Sequence, residues 1–375
     1  MNKITLLCRS TLVNQFIKSS IIGNVSIITK SFCSNPNFKP FENNTQLDDS
    51  TERIVNVAVI GLPNAGKSTL INNLIDRKVC AASSKVHTTR KVAKGICTEG
   101  NTQIVFLDTP GLVTKQEKNR YQLEESFVNS FKSCMEAADV VCVVQDASNH
   151  WTRDKLHNKI RKLLDRFSNV PSVLVLNKID LLKSKRVLLD LVRNLTEGKL
   201  SDRHHKDESP VDFDLDYSEN NDDKLEPLDN EKKKGWPKFT NVFMVSSIEH
   251  TGLEELKEYL TALSRPCPWI YSPLQNSDLS NDKIITEAVR AKLLDFMPQE
   301  IPYKLKAELE LYEESEEGII TASVVVTCPS ERIRKLLEGS AGGKLRQITN
   351  YVTADLREAF YQPVNLIIST AVTPN

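Results

Sequence analysis

The residues that most constrain this chain stand at positions 54–68. Ile54–Val55–Asn56–Val57–Ala58–Val59–Ile60 is a β-rich run that passes directly into Gly61–Leu62–Pro63–Asn64–Ala65–Gly66–Lys67–Ser68, and a helix pattern begins near Lys67. The eight residues fit G-x-x-x-x-G-K-[ST], a pattern that acquires meaning only between a strand and a helix, as here. Glycines let backbone N–H groups turn inward around an anion, and the helix N-terminus adds partial positive charge. The expectation is a phosphate cradle made by Gly61, Pro63, Asn64, Ala65, Gly66, Lys67, Ser68 and Thr69, with Lys67 reaching the outer phosphates and the Ser68 hydroxyl on Mg²⁺.

A fold follows from what comes next. Gly95 to Asp108 reads as a hairpin, two β-rich arms around Glu99–Gly100–Asn101. Val140–Val144, Val173–Leu176 and Val242–Val245 suit buried strands. Leu156, Ile160, Leu163, Leu164 and Phe167 recur at helical spacing between the first two, and Leu253, Leu256, Tyr259, Leu260 and Leu263 do so after the third. Strands alternating with helices predict an α/β unit, a mostly parallel sheet with helices on both faces.

Three further motifs fall on its strand ends. Asp108–Thr109–Pro110–Gly111 closes the hairpin; a carboxylate there can orient a Mg²⁺-bound water, and Gly111 can offer its N–H to a γ-phosphate. Either Thr88 or Thr89, with Thr89 favoured, could complete the metal shell from the segment between. Asn177–Lys178–Ile179–Asp180 ends the Val173 strand at the carboxyl edge where open α/β sheets bind ligands. Asp180 can accept from guanine N1–H and the 2-amino group, and adenine offers neither; Ser246 and Ser247 can support the base from the next strand end. A buried carboxylate left unpaired by the wrong base carries a desolvation penalty, which is what makes such a site selective. The motifs together predict a Ras-like P-loop domain that binds GTP with Mg²⁺, with Lys67, Asp108 and Gly111 as catalytic residues. Leu112 stands where Ras-like proteins carry the glutamine that orients the attacking water, so hydrolysis must draw on another group. Asn64 either shapes the loop or helps hold a monovalent cation, K⁺, beside the phosphates.

A second unit begins at Lys283. Ile284, Val289, Leu293, Leu294 and Phe296 mark a helix; Leu305–Leu311 and Ile319–Val326 are strands; Ser330–Leu337 and Lys344–Phe360 are helices; and Val364–Ser369 is a last strand. This order, with Gly339–Ser340–Ala341–Gly342 joining the two adjacent helices, fits an α+β type II KH domain, whose G-x-x-G turn lets a nucleic-acid backbone approach closely. Lys344 and Arg346, with Arg332, Arg334 and Lys335, supply cations around it, although neither central loop residue is basic.

Composition sets the remaining bounds. The chain has 375 residues and a net charge of zero, 49 Lys+Arg against 49 Asp+Glu, but the charge is unevenly spread. No acidic residue precedes Glu42, whereas Lys3, Arg9, Lys18, Lys30 and Lys39 all do, in a Ser-, Thr- and Asn-rich stretch; residues 1–40 are read as a mitochondrial targeting segment. Residues 194–234 are acidic and aperiodic and are read as a disordered insertion, and 266–282 as a linker. The longest strictly apolar run, Val140–Val144, is far short of the ~20 residues that span a bilayer. Eight scattered cysteines without a Cys-x-x-Cys pair argue for reduced thiols rather than zinc or a disulfide framework.

With both units in view, the chain resembles the Era family of GTPases in its animal mitochondrial form. The likeness covers about residues 53–370. It is carried by His87–Thr88–Thr89–Arg90, Asp108–Thr109–Pro110–Gly111–Leu112, Asn177–Lys178–Ile179–Asp180, Gly235–Trp236–Pro237 and Pro298–Gln299–Glu300–Ile301–Pro302–Tyr303. It implies an Era-type G domain over 53–265, a KH domain over 283–370, and a monomeric GTP-hydrolysing chaperone of small-subunit (12S) rRNA that assists small-subunit assembly. It also implies a mitochondrial matrix location with peripheral association at the inner membrane. The long insertion, and a chain that stops soon after the last KH strand, depart from bacterial relatives. Two other readings stay open on the residues alone: a non-catalytic GTP-dependent RNA-binding adaptor, and a tRNA-modification-type GTPase.

Overall fold

The computed structural model describes residues 52–83, 93–109, 133–200, 234–298 and 300–373. Strand β1 (Arg53–Gly61) runs into helix α1 (Lys67–Ile75) through the glycine-rich loop. Then come β2 (Ala93–Glu99), β3 (Thr102–Asp108), β4 (Val140–Asp146), α2 (Asn158–Arg166), β5 (Ser172–Asn177), α3 (Val187–Leu195), β6 (Phe239–Met244), α4 (Leu253–Ala262) and the short β7 (Arg265–Pro266). The sheet order is β2-β3-β1-β4-β5-β6; β2 and β7 pair antiparallel with β3 and β1, and the other pairings are parallel.

Because β4 and β5 point their side chains alternately to two covered faces, they read as unbroken apolar runs. One face packs Val57, Cys142 and Val175 against Leu70 and Leu74 of α1 and Leu256 and Leu260 of α4. The other packs Val141, Val143 and Leu174 against Ile160 and Leu164 of α2 and Leu188, Leu191 and Leu195 of α3. Helix α3 was not legible as such, and its last residues, Asn194 and Leu195, lie where the acidic segment was expected to begin. The fully buried Leu195 anchors it, and Trp236 continues the same core where the described chain resumes. Residues 201–233, and the targeting segment at 1–40, lie outside the described residues.

The segment read as a linker is bound tightly to the sheet edge. Cys267 N–H donates to the Glu52 carbonyl, Asp278 N–H to the Lys94 carbonyl, and Ile96 N–H to the Asn276 carbonyl. The Gln103 side chain, fully buried, accepts from the Ile270 and Tyr271 N–H groups (3.1 Å each) and donates to the Tyr271 carbonyl (2.9 Å).

The second unit is built from α5 (Asn281–Phe296), β8 (Lys306–Glu314), β9 (Ile320–Cys328), α6 (Glu331–Glu338), α7 (Gly343–Phe360) and β10 (Val364–Val372). Its sheet runs β10-β9-β8, with β9 parallel to β10 and antiparallel to β8. One face carries the core: Ile320, Ala322, Val324 and Val326 alternate inward against Val289 and Leu293 of α5 and Ile348, Val352 and Leu356 of α7. This is the helix–strand–strand–helix–helix–strand order expected of a type II KH domain.

The two units meet at the C-terminal end of α1. Lys78 lies 2.9 Å from both Asp355 and Glu358 of α7, and Asp355 also pairs with Lys292 of α5 at 2.8 Å. The Arg77 guanidinium sits 3.9 Å above the Tyr361 ring, whose hydroxyl donates to the Asp76 carbonyl. Paired carboxylates raise the Lys78 pKa above the usual lysine value, although burial opposes them.

Candidate guanine-nucleotide site

The phosphate loop has the shape its residues predict. Gly66 adopts φ 91°, and a Cβ there would collide with the Asn177 side-chain amide. Asn64 is also left-handed, at φ 61°, a conformation that asparagine tolerates better than most residues. Lys67 is buried, with its ammonium on the Gly61 (3.3 Å) and Leu62 (3.1 Å) carbonyls of the loop it closes. Desolvation pushes its pKa down to about 8, the nearby Asp108 carboxylate opposing the shift. An anion held in the loop would oppose that shift and favour the charged ammonium.

Ser68 and Asp108 come together as expected: the Ser68 hydroxyl donates to Asp108 Oδ2 at 2.7 Å. A hydroxyl and a carboxylate side by side are hard oxygen donors of the kind Mg²⁺ takes beside phosphates, so the residues fit that ion. A protein cage for a metal is a different matter: among the described residues there is no group of three or more His, Cys, Asp or Glu that could form one. Thr109 behaves differently from the other motif residues. Its hydroxyl is fully buried and donates to the Val59 carbonyl at 2.6 Å, so the side chain fastens the motif to β1 and only its backbone is left for phosphate. Thr88, Thr89, Pro110, Gly111 and Leu112 lie outside the described residues.

The base side of the pocket is joined to the phosphate side. Asn177 Nδ2 donates to the Ala65 carbonyl of the loop (3.0 Å), while its Oδ1 accepts from Lys178 N (2.8 Å) and from the N–H (3.2 Å) and hydroxyl (2.9 Å) of Ser247. Asn177 thus bolts the base motif to the phosphate loop through its oxygen and one of its two amide N–H donors. Ser246 donates to Asp180 Oδ1 at 2.6 Å and holds that carboxylate at the pocket edge, only partly buried. The Asn73 amide adds a bond to the Ser247 carbonyl, tying α1 to the base loop. Lys178 is left-handed (φ 63°), and its ammonium reaches the Asn64 carbonyl at 2.6 Å and the Asp146 carboxylate at 2.7 Å.

Asp146 escaped the sequence reading. It ends β4 outside any motif, and only the β4–β5 register, Asp146 opposite Asn177, brings it to Lys178. Asn72 escaped too: its amide makes two 2.8 Å bonds to the Cys80 backbone and fixes the chain leaving α1.

In the second unit, Gly339 (φ 74°), Ala341 (φ 50°) and Gly342 (φ 70°) turn the chain between α6 and α7 through a left-handed bend, with Ser340 and Ala341 exposed. Arg332, Lys335 and Arg346 are exposed, and Lys344 is half-buried against Gly339. Arg334 is engaged within α6 by Glu331 and Glu338, a departure from its expected role as a free phosphate contact.

A P-loop fold with a guanine motif bolted to its phosphate loop, followed by a KH unit, defines a GTPase of Ras-like architecture. The family model "50S ribosome-binding GTPase" matches residues 56–178. Mitochondrial GTPase Era of Danio rerio is 42% identical over 333 residues, covering 84% of this chain and 74% of that protein. Its Salmo salar counterpart is 36% identical over 349 residues, covering 85% and 76%. The crystal structure of Era in complex with MgGDPNP and nucleotides 1506–1542 of 16S ribosomal RNA superposes with a TM-score of 0.65 at 23% identity, covering 86% of this chain and 95% of that one. The chain belongs to the Era family of GTPases.

Proposed function

We propose that this GTPase works in the mitochondrial matrix, peripherally at the inner membrane, as a monomeric chaperone of 12S rRNA during small-subunit assembly. The observation that carries this is the joining, in one chain, of a phosphate loop bolted to a guanine motif with a G-x-x-G turn whose Ser340 and Ala341 are exposed. Mitochondrial relatives, and an Era structure holding small-subunit rRNA, support it. Among the described residues no helix is long and apolar enough to cross a membrane.

In this reading Lys67 grips the outer phosphates and the backbone of Gly61, Pro63, Asn64, Ala65, Gly66 and Thr69 wraps them. Ser68, Asp108 and Thr89 would hold Mg²⁺, which would supply charge neutralisation at the transferred phosphate. Asp180 reads the guanine edge, with Asn177, Lys178, Ser246 and Ser247 framing it. Thr109, Pro110 and Gly111 follow the γ-phosphate. Bound γ-phosphate orders the segments around it and hydrolysis releases them, the usual way such domains gate a partner. Gly339, Ser340, Ala341 and Gly342 admit the RNA backbone, and Lys344 and Arg346 contact its phosphates. Asn64 also serves K⁺; equal turnover in KCl and NaCl at matched ionic strength removes that role.

Crosslinking in intact mitochondria followed by sequencing of the attached RNA tests the whole reading. Recovery of 12S rRNA is expected; recovery of tRNA alone, or of no RNA above a Gly339→Asp control, overturns it.

A further inference from the structure

The contacts around Asp146 give it a task that no motif residue performs. Its Oδ2 accepts from Lys178 Nζ at 2.7 Å, and its Oδ1 accepts from the Ser148 N–H at 2.9 Å and hydroxyl at 2.6 Å. The next residue is fixed as well, since Ala147 N–H donates to the Asn177 carbonyl at 2.9 Å. The carboxylate is therefore a rigid acceptor: Ser148 holds one oxygen, and the other meets the ammonium with both side chains mostly shielded from water (28% and 15% exposed). At its own end Lys178 leaves the backbone in a left-handed conformation at the start of the Ile179–Leu181 turn, so its stem direction is set by the fold. Its far end is shared between Asp146 and the Asn64 carbonyl of the phosphate loop.

We infer that Asp146 is a positioning residue for guanine-nucleotide binding, acting through Lys178. A lysine side chain is rich in rotamers, and immobilising it during binding costs affinity. An ion pair made before the nucleotide arrives removes that cost and keeps the lysine spanning the base motif and the phosphate loop. A charge-assisted bond suits this better than a neutral one, being roughly twice as strong. Among variants of one site, differences in affinity appear mostly in dissociation, so nucleotide release is the readout. The inference rests on the reading of Lys178 as a nucleotide-site residue.

The test measures release of a fluorescent GDP analogue from the full chain by stopped flow, in Asp146→Ala, Asp146→Asn, Lys178→Met and the doubly substituted Asp146→Ala/Lys178→Met. Asp146→Ala is expected to speed release about tenfold. Asp146→Asn is expected to speed it in the same direction, because an amide that keeps its oxygen on Ser148 turns its NH₂ toward the ammonium. This near-isosteric variant carries the test should the alanine variant fail to fold. In the Lys178→Met background the Asp146 substitution is expected to change nothing further. Unchanged release in Asp146→Asn overturns the inference, as does full acceleration persisting without Lys178, which would mark Asp146 as merely structural. If Lys178→Met itself leaves release unaltered, the site reading fails first and this inference falls with it.

Discussion

The Ser68 hydroxyl and the Asp108 carboxylate, 40 residues apart in the chain, are hydrogen-bonded at 2.7 Å at the mouth of the phosphate loop. The contact exists because β1 and β3 are parallel neighbours in register, Val59 opposite Asp108. It places the Ser68 hydroxyl, in the first turn of α1, beside the carboxylate that ends β3, the pair proposed to hold Mg²⁺. Ser68→Ala and Asp108→Ala are therefore expected to lower GTP turnover on the order of 100-fold, about 2.7 kcal/mol of barrier. Single-turnover hydrolysis across a Mg²⁺ titration checks this, and wild-type turnover in either variant refutes it.

Lys67 is expected to make nucleotide binding pH-dependent. In the free protein burial brings its pKa down to about 8, so it loses its proton as pH rises through that value. Phosphates in the loop favour the charged form, so the complex binds more protons than the free protein. Affinity for GDP should then fall as pH rises through 8, with net proton uptake on binding at pH 8.5 and little at 6.5. Calorimetry in two buffers of different ionisation enthalpy measures the uptake; proton release at pH 8.5 contradicts it.

Gly66 cannot be replaced cheaply. Its left-handed φ and the Asn177 amide over its Cβ position act together, so Gly66→Ala strains the loop and pushes the base motif away from it. The left-handed conformation alone costs roughly 1–2 kcal/mol for a residue with a Cβ. Loss of nucleotide affinity should exceed the loss of thermal stability, and comparison of GDP titration with melting of the free protein decides this.

On the KH unit, Gly339→Ala would press a Cβ to 2.7 Å from that of Lys344 in a left-handed turn, and should weaken RNA binding. If RNA phosphates are the contact, log affinity falls with log salt, and each of Lys344→Ala and Arg346→Ala reduces the slope by about 0.7. Fluorescence anisotropy on single-stranded RNA over a salt series tests this. A flat profile in the wild type defeats the electrostatic picture.

The Lys78 pairs with Asp355 and Glu358 look prominent but are partly solvated, with 43% of the lysine side chain exposed. Lys78→Ala should cost no more than about 1 kcal/mol. Adding Tyr361→Ala, which removes the Arg77 stack, should separate the melting of the two units. Calorimetry showing one unchanged transition in the double variant argues against this seam.

Much of this arrangement was legible before any coordinates. Motifs that need a strand before them and a helix or turn after them announce their own context, so Lys67, Ser68, Asp108 and Asp180 could be placed from local pattern. What stayed hidden depends on register between distant segments. Asp146 meets Lys178 only because β4 and β5 align, and the Thr109 hydroxyl turns inward only because the Val59 carbonyl is there to receive it. Helix α3 was masked by the acidic run that follows it, although Leu188, Leu191 and Leu195 carry a helical spacing. The segment around Tyr271 looked loose because its partners, among them backbone groups, the buried Gln103 side chain, Lys94 and Glu52, are distant in the chain and leave no mark on the segment's own composition.

Helix α7 starts just after the G-x-x-G turn and stops one residue before Tyr361, which is seated on Arg77. Its 18 residues make a stiff rod of about 27 Å. Geometry alone makes it a lever arm: pivoting by ~10° at the Tyr361 end sweeps the opposite tip through about 5 Å, close to one helical pitch. Because Ile348, Val352 and Leu356 pack α7 into the KH core, any such pivot would carry the whole unit and its G-x-x-G turn with it.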